Sequence, residues 1–432
     1  MKTTRMSRRT ILTSAGIGMT AAGLAACVDT SGTGGGGGTG GGGGTGDGIV
    51  LQNSIQDTAP KAALEQLVAD YDGPVTMNSV ATEQYRAQLT NYLRSSNPPD
   101  VYSWYAGSVS RAYASQGLLL DVAPLWNEGG ACADFSPALR SLADNGDGTF
   151  SFVPTNYYWW SIFYKKSAFA TWGITPPETW DDFIALCESL LAQGIIPLAN
   201  GIGSTPWMAS GWFDYLDLRL NGAQYHRELL AGEHAFTDPE VRTVMAEYAR
   251  LIPFFDPDMA SYSNQEATTP LVQDRAAMYL VGAFVTNNVP ADMVEDLDFF
   301  SVPVIDSSIP TAEEAPTDGF FAASGSSDPE ATLDFLSYLA APEQQQRFIE
   351  LSGSANLPTS PQVDTSAFSA LTQKGIELLN STEEITQFFN RDSSDALQTT
   401  ADAALTRFLA QPEDVDAVLT EWQAAAEQVW SS

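Results

Sequence analysis

From residue 48 onward the apolar positions switch back and forth between a period of two and a period near 3.6, which predicts strands alternating with helices. Ile49 to Gln52 is a short apolar run that reads as a first strand. Leu64, Leu67 and Val68 recur at helical spacing within 60–71, and Gly73-Pro74 stops that helix. Val75 to Val80 alternates like a strand, and Tyr85, Leu89 and Tyr92 mark one face of a helix over 82–95. Asn97-Pro98-Pro99-Asp100 turns the chain into a strand over Val101 to Tyr105, followed by a helix to Gln116 with Gly117 at its cap. This alternation predicts a mostly parallel sheet flanked by helices.

The turn signal Asn145-Gly146-Asp147-Gly148 leads into a strand over Thr149 to Val153, and Pro154 then breaks the chain. The same grammar resumes with a strand over Trp160 to Tyr164. A helix opens at Thr179, with Asp182 in the capping-box position and Trp180, Phe183, Ile184, Cys187, Leu190 and Leu191 along one stripe. Ile195 to Leu198 reads as a strand, and a helix from Pro239 bears Val241, Val244, Met245 and Tyr248. Ala276 to Val281 is an apolar run that ends at Gly282. Phe299 to Ile305 and Gly319 to Ala323 read as strands, Asp328-Pro329 opens a helix with Leu333, Leu336 and Leu339, and the remainder reads as helices. At 432 residues the chain exceeds one ordinary core. With Pro154 and Gly282 as crossings, the pattern predicts an N-terminal lobe of 48–154 plus about 282–323. The C-terminal lobe is then 155–281 plus about 324–432.

Residues 1–47 follow another logic. Ser7-Arg8-Arg9-Thr10-Ile11-Leu12 resembles the twin-arginine export signal. The apolar stretch Ile11 to Ala26 is too short and too rich in Gly, Ala and Thr for a membrane span. Leu24-Ala25-Ala26-Cys27 matches the bacterial lipobox, which implies cleavage before Cys27 and a diacylglycerol on its thiol. Residues 1–27 are therefore expected as a signal peptide. Residues 28–47, almost wholly Gly and Thr, are expected as a flexible tether.

Charge narrows the partners. The chain carries 20 basic and 53 acidic residues, a net charge of -33 spread along its length. Such a surface repels phosphate backbones and anionic headgroups, so nucleic-acid binding is not expected and a covalent lipid is the sensible tether. Beyond Cys27 there are Cys132 and Cys187, with no CxxC and no Cys/His cluster. Both are expected as buried thiols, although an exported location also permits a disulfide between them.

Enzyme signatures are mostly absent, although abundant carboxylates leave a glycosidase pair open. The two histidines, His226 and His234, have no metal-ligand spacing, and there is no GxSxG, Walker loop, HExxH or GxGxxG. No metal, cofactor or catalytic residue is expected. What the sequence does offer is aromatic residues beside turns. Trp104 and Tyr105 end a strand, and the carboxyl end of a strand is where open α/β sheets bind ligands. Tyr157 and Tyr158 follow the expected hinge, Trp207, Trp212 and Asp214 follow the loop 200–206, and Phe284 follows Gly282. A pyranose has C–H patches on its faces and hydroxyls round its rim. Flat rings cover the first, and Asp, Asn, Gln and Arg pair with the second; a misplaced hydroxyl leaves a buried group unpaired.

Several blocks, in order, carry a family resemblance. They are Asn97-Pro98-Pro99-Asp100-Val101, Gly117-Leu118-Leu119-Leu120-Asp121, and Phe163-Tyr164-Lys165-Lys166-Ser167-Ala168-Phe169 after Pro154. Gly173-Ile174-Thr175-Pro176-Pro177-Glu178-Thr179-Trp180-Asp181-Asp182-Phe183 is the most specific, and Asp274-Arg275-Ala276-Ala277-Met278 with Gly282 follows it. Ala331 to Gln346, Gly353 and Pro358 complete the series. Together they resemble the family 1 extracellular solute-binding proteins, the carbohydrate-binding components of ABC importers. Three positions depart from the family pattern: Lys165 stands for Asn, Asp274 for Gly, and Phe284 for a Trp that often stacks on sugar.

The resemblance implies a two-lobed periplasmic-binding-protein-like fold of type II, in the α/β class, with a hinge of two or three crossings. It implies a cleft drawn from Trp104, Tyr105, Tyr157, Tyr158, Trp207, Trp212, Asp214, Gly282, Phe284 and Asp318. It also implies a lipid-anchored extracytoplasmic monomer that passes a sugar to a permease energised by a separate ATPase, and that does no chemistry itself. Three rival readings of the residues are an exported carbohydrate-active enzyme, a sensory receptor, and a binder of another solute such as a polyamine.

Overall fold

Two separate hydrophobic cores organise the molecule. In the computed structural model, residues 48–353 and 355–431 are described. They all belong to one unit of the chain. The Arg8-Arg9 pair, the lipobox with Cys27 and the Gly/Thr tract lie outside the described residues.

In chain order the strands are β1 (Ile49–Asn53), β2 (Val75–Ser79), β3 (Val101–Tyr105) and β4 (Val153–Tyr157), then β5 (Trp160–Lys165), β6 (Ile196–Ala199), β7 (Ala276–Gly282) and β8 (Leu297–Phe300), and finally β9 (Ala312–Glu314), β10 (Thr317–Ala322), β11 (Leu357–Pro358) and β12 (Glu384–Thr386). The first lobe is a six-stranded sheet in the order β11-β4-β10-β3-β1-β2, and the second a four-stranded sheet in the order β6-β7-β5-β8. A third, two-stranded sheet joins β9 to β12. The parallel grammar holds for β1 with β2, β1 with β3, and β6 with β7. The pairings of β10 with β3 and β4, and of β5 with β7 and β8, are antiparallel, because those strands return from the other lobe or by a short turn rather than through a crossover helix. Both sheets are therefore mixed.

Local chemistry explains the elements. The helix Trp180–Ala192 is capped by Thr179, whose Oγ1 accepts the Asp182 N–H. Its apolar stripe buries Trp180, Phe183, Ile184, Cys187 and Leu190, while Leu191 lies on the exposed side. The helix Pro329–Ala340 starts on Asp328, which accepts the Ala331 N–H, with Pro329 in its first turn.

The lobe boundaries differ from those the sequence suggested. The first crossing is not at Pro154. β4 begins at Val153, and residues 144–150 form only an isolated bridge, Asp144 to Phe150. Pro154 is tolerated inside β4 because it faces Gly319 across the β10 pairing. A Cβ on Gly319 would lie 2.1 Å from the Val153 carbonyl oxygen. The chain crosses at 157–160 instead. Gly282 is no crossing either: β8 pairs with β5, so residues 282–302 stay in the second lobe. The chain returns between β9 and β10. Residues 324–358 were expected in the C-terminal lobe. Their helices Pro329–Ala340 and Pro342–Ser352 pack on the first lobe, where Phe335 meets Tyr71 at 5.0 Å, Tyr338 Oη donates to the Leu67 carbonyl at 2.9 Å, and Arg347 pairs with Asp70. A helical period says which face is buried, not which lobe buries it.

Cys132 lies in the first core and Cys187 in the second, and both are free and buried. Burial pushes the Cys132 thiol up to about 12 and raises the Cys187 thiol as well. Neither should react with iodoacetamide in the native protein at neutral pH, and both should react once it is unfolded. Mass spectrometry of the alkylated chain checks this, and a Cys132–Cys187 linked peptide would overturn it.

Candidate functional site

The parallel strands of the first lobe end at a common edge. Beyond β1 come Ser54, Ile55, Gln56 and Asp57; β3 ends in Ser103, Trp104 and Tyr105. All of these line a cavity of about 360 Å³. β10 runs antiparallel to β3, which sets Asp318 directly opposite Tyr105, and Asn156 of β4 opposite Asp318 on the other side. The turn after β1 is held in place by buried polar bonds. The Ser54 N–H donates to Ser103 Oγ at 3.0 Å, and Ser103 Oγ donates to Asn53 Oδ1 at 3.1 Å.

From the other side come Tyr158 of the crossing, Phe284 after β7, Gln265 and Asn287. Asn287 reaches Asp57 across the mouth, Nδ2 to Oδ2 at 3.5 Å. A short helix, Phe389–Asp392, adds Arg391. Its side chain is 8% exposed, and the guanidinium donates to Asp318 Oδ1 at 2.6 Å and to Tyr158 Oη at 2.8 Å and lies 3.9 Å over the Tyr105 ring. One charge thus ties β10, the crossing and the end of β3. Burial alone would lower the arginine's affinity for its proton, but Asp318 and the two tyrosines raise it further. Burial also lifts the Asp318 carboxyl, with Arg391 pulling the other way. The Tyr105 and Tyr158 hydroxyls are raised by burial. Among the described lining residues the titratable side chains are Asp57, Asp318, Arg391, Tyr105 and Tyr158, so the only cation is already matched by a carboxylate.

The model for bacterial extracellular solute-binding proteins matches residues 53–346. The chain belongs to that family. The solute-binding protein resembles the alpha-glucosides-binding periplasmic protein AglE of Rhizobium meliloti, 25% identical over 75% of this chain and 73% of AglE. It also resembles an uncharacterised ABC transporter extracellular-binding protein of Pyrococcus horikoshii, 24% identical over 68% of this chain and 66% of that relative. Among solved structures, the bacterial solute receptor AcbH superposes with a TM-score of 0.83 at 28% identity, over 88% of this chain and 99% of AcbH, and is described as having an exclusive preference for β-D-galactopyranose.

The residues expected in the cleft of this solute-binding protein divide into two groups. Trp104, Tyr105, Tyr158, Phe284 and Asp318 come together on the cavity. Trp104 does so differently from the open stacking face anticipated. Tyr105 lies against it at 4.4 Å and Tyr85 at 5.1 Å, so its ring is packed against them, and its Nε1–H is buried with no protein partner among the described residues. The other five are displaced from the cavity. Tyr157 points the opposite way from Tyr158, by strand alternation, into a separate cavity with Leu139, Leu379 and Ile385. Trp207 packs its ring on Trp160 and Phe388. Trp212 and Asp214 sit on the helix Met208–Leu220, which is buried on all sides, so both are core. Gly282 does not line the cavity but makes room for it: a Cβ there would meet the Phe284 ring at 2.4 Å and the Tyr158 ring at 2.9 Å.

Arg391, Asn156, Asn287 and the loop Ser54 to Asp57 were not anticipated. Arg391 had one usable signal, a basic residue inside the aromatic run Phe388-Phe389-Asn390-Arg391 of a chain that has few cations.

Breaking a buried pair from one side strands the other charge. Asp318→Asn leaves Arg391 unmatched and should cost roughly 3 kcal/mol in urea unfolding, at the lower end of the range for such breaks. Arg391→Met leaves Asp318, which is 30% exposed, and should cost less. The double variant should cost less than the two singles summed. Additive costs would mean that the two side chains do not act as a pair.

Proposed function

We propose that this chain is the extracytoplasmic receptor of an ABC importer and captures a small neutral sugar between its lobes. The observation that carries the reading is the self-neutralised Arg391–Asp318 pair in a cavity that also presents rings, amides and hydroxyls, beside the aliphatic side chains of Ile55, Pro60, Leu64, Leu67 and Leu339. A neutral hydroxylated ligand leaves that pair intact and gains from it, since the pair presents charge-assisted partners to rim hydroxyls. A polyamine would need uncommitted carboxylates, and among the described lining residues Asp57 alone qualifies. Glycoside hydrolysis needs an acid and a base flanking the bond, and Asp318, bound to Arg391, is not available as the acid.

A cavity of about 360 Å³ lies near the small end of ligand pockets, roughly 300–1,000 Å³. It favours a mono- or disaccharide over a long oligosaccharide. The likeness to AcbH makes D-galactose the first sugar to try. Capture proceeds by closure of the lobes round the ligand, after which the closed form docks on the permease. The lipobox reading supports a lipid on Cys27 that holds the receptor, as a monomer, at the outer face of the cytoplasmic membrane.

The test is a thermal-shift and calorimetric panel on the purified protein with D-galactose, other mono- and disaccharides, and spermidine. One sugar should raise Tm in a concentration-dependent way. A Kd near micromolar is expected, about 8 kcal/mol, with no product on prolonged incubation. Phe284→Ala should weaken that binding about tenfold by removing an aromatic face, without a large fall in the unliganded Tm. A response to spermidine alone would reject the sugar, and turnover of a bound saccharide would reject the receptor role.

A further inference from the structure

Behind the cavity lies a cluster of ionisable groups that the ligand reading does not use. Asp214, Glu314 and His226 are all fully buried. The Asp214 and Glu314 carboxyls lie beside each other. Of their four oxygens, among the described residues, Asp214 Oδ2 alone receives a protein N–H, that of Phe389 at 2.9 Å. His226 Nε2 stands 3.9 Å from Asp214 Oδ1, and its Nδ1 is engaged 2.8 Å from Asp217 Oδ2. Two carboxyls in contact, shut off from water, cannot both be ionised, so one proton lies between them.

The placement of the pair gives it a consequence. Asp214 grips Phe389, two residues before Arg391. Glu314 ends β9, four residues before Asp318. The two segments that carry the ion pair of the cavity therefore converge on these two carboxyls. Gln387 knits the same segments, accepting the Thr317 N–H at 3.0 Å and donating to the Ala315 carbonyl at 2.9 Å.

We propose that the Asp214–Glu314 pair is a latch that sets the position of Arg391 in the cavity, which makes both of them positioning residues for the ligand. The proposal rests on the cavity being the ligand site, but the latch itself has readouts that need no ligand.

The surroundings fix the direction of its pH response. Facing the pair are His226 from the helix Gly222–Ala231, Tyr215, Asp217 and Arg219 from the helix of Asp214, and Tyr248 from Pro239–Leu251. Glu313 of β9, Asp392 and Tyr158 complete the set. Arg219 is taken by Glu313 at 2.6 Å. Burial, the largest cause in each case, pushes the Asp214 carboxyl up to about 6 and Glu314 well above the usual carboxylate range. Burial pulls His226 down, but Asp217 and Asp214 outweigh it and hold the imidazole above its usual value. A carboxyl raised in the folded state contributes stability that is complete below its ordinary value and is lost as the pH rises through its folded value. Glu314 is held well above the usual carboxylate range, so the latch holds where carboxyls ordinarily ionise and opens only as the pH rises through the folded value of the pair.

The experiment compares the purified wild-type protein with Glu314→Gln and Glu314→Ala. The infrared carbonyl band of a protonated carboxyl should be present at neutral pH in the wild type and missing in Glu314→Gln. Amide hydrogen exchange over 387–391 should quicken in Glu314→Ala but not in Glu314→Gln, whose amide donates permanently to Asp214. D-galactose affinity should fall about tenfold in the wild type as the pH is raised through the titration of the pair, and stay flat in Glu314→Gln. Absence of the band, or exchange unchanged in Glu314→Ala, overturns the latch. So does a loss of affinity with rising pH that persists in Glu314→Gln. If D-galactose binds none of the three while band and exchange behave as expected, the latch stands and the sugar assignment falls.

Discussion

A guanidinium taken out of water must find its partners inside the protein, and the centre of this molecule is arranged round that demand. Arg391 is buried among Asp318, the Tyr158 hydroxyl, the Thr317 carbonyl and the Tyr105 ring. These partners come from β10, the crossing between β4 and β5, and the end of β3, and Arg391 itself from a helix of the second lobe's chain. None of these elements can shift alone without leaving a charge or a hydroxyl unpaired in a place water does not reach, which is costly. The pair is thus weak evidence for stability as such but strong evidence for a defined geometry.

The second lobe shows how that geometry is backed. The helix Met208–Leu220 is buried all round yet contains Asp214, Asp217 and Arg219. Polar side chains on a fully enclosed helix are tolerated only where each has a use. Asp214 holds Phe389, Asp217 holds His226 and accepts from Asn221, and Arg219 donates to the Val302 and Ala312 carbonyls and to Glu313. The bonds from Asp214 and Arg219 reach the chain segments flanking the hinge. The helix works as a stiff rod to which the 302–314 and 387–391 segments are fastened.

Much of this was legible in the sequence, and the limits are physical. Period and capping located most elements, because Thr179 and Asp328 act within three residues of themselves. The carboxyl end of β3 was readable as an open edge of the sheet, since strand direction follows from helix crossovers, and Trp104 and Tyr105 do line the cavity there. Lobe membership was not readable for 324–358: an amphipathic helix reports that it has an apolar face and is silent on which sheet covers it. Nor could alternation alone decide between Tyr157 and Tyr158, as it fixes only that they point apart. Trp212 and Asp214 were mistaken for cleft residues because an aromatic beside an aspartate looks the same on a loop and on an enclosed helix. Arg391, about 290 residues from Tyr105 in sequence, is joined to it by tertiary structure alone.

The charge of the chain and the charge of the cavity obey different constraints. A net charge of -33 acts over distances that salt screens within about 8 Å at physiological ionic strength, so it governs solubility and approach. Inside the cavity screening is weak, and one unmatched carboxylate would bias the site toward cations whatever its shape. The lining meets this by pairing its partly buried carboxylate, Asp318, with Arg391 and leaving Asp57 at the wetter rim, where Asn287 bonds it. A strongly acidic protein can then keep a cavity whose charges are largely matched, set apart from the field of the whole molecule.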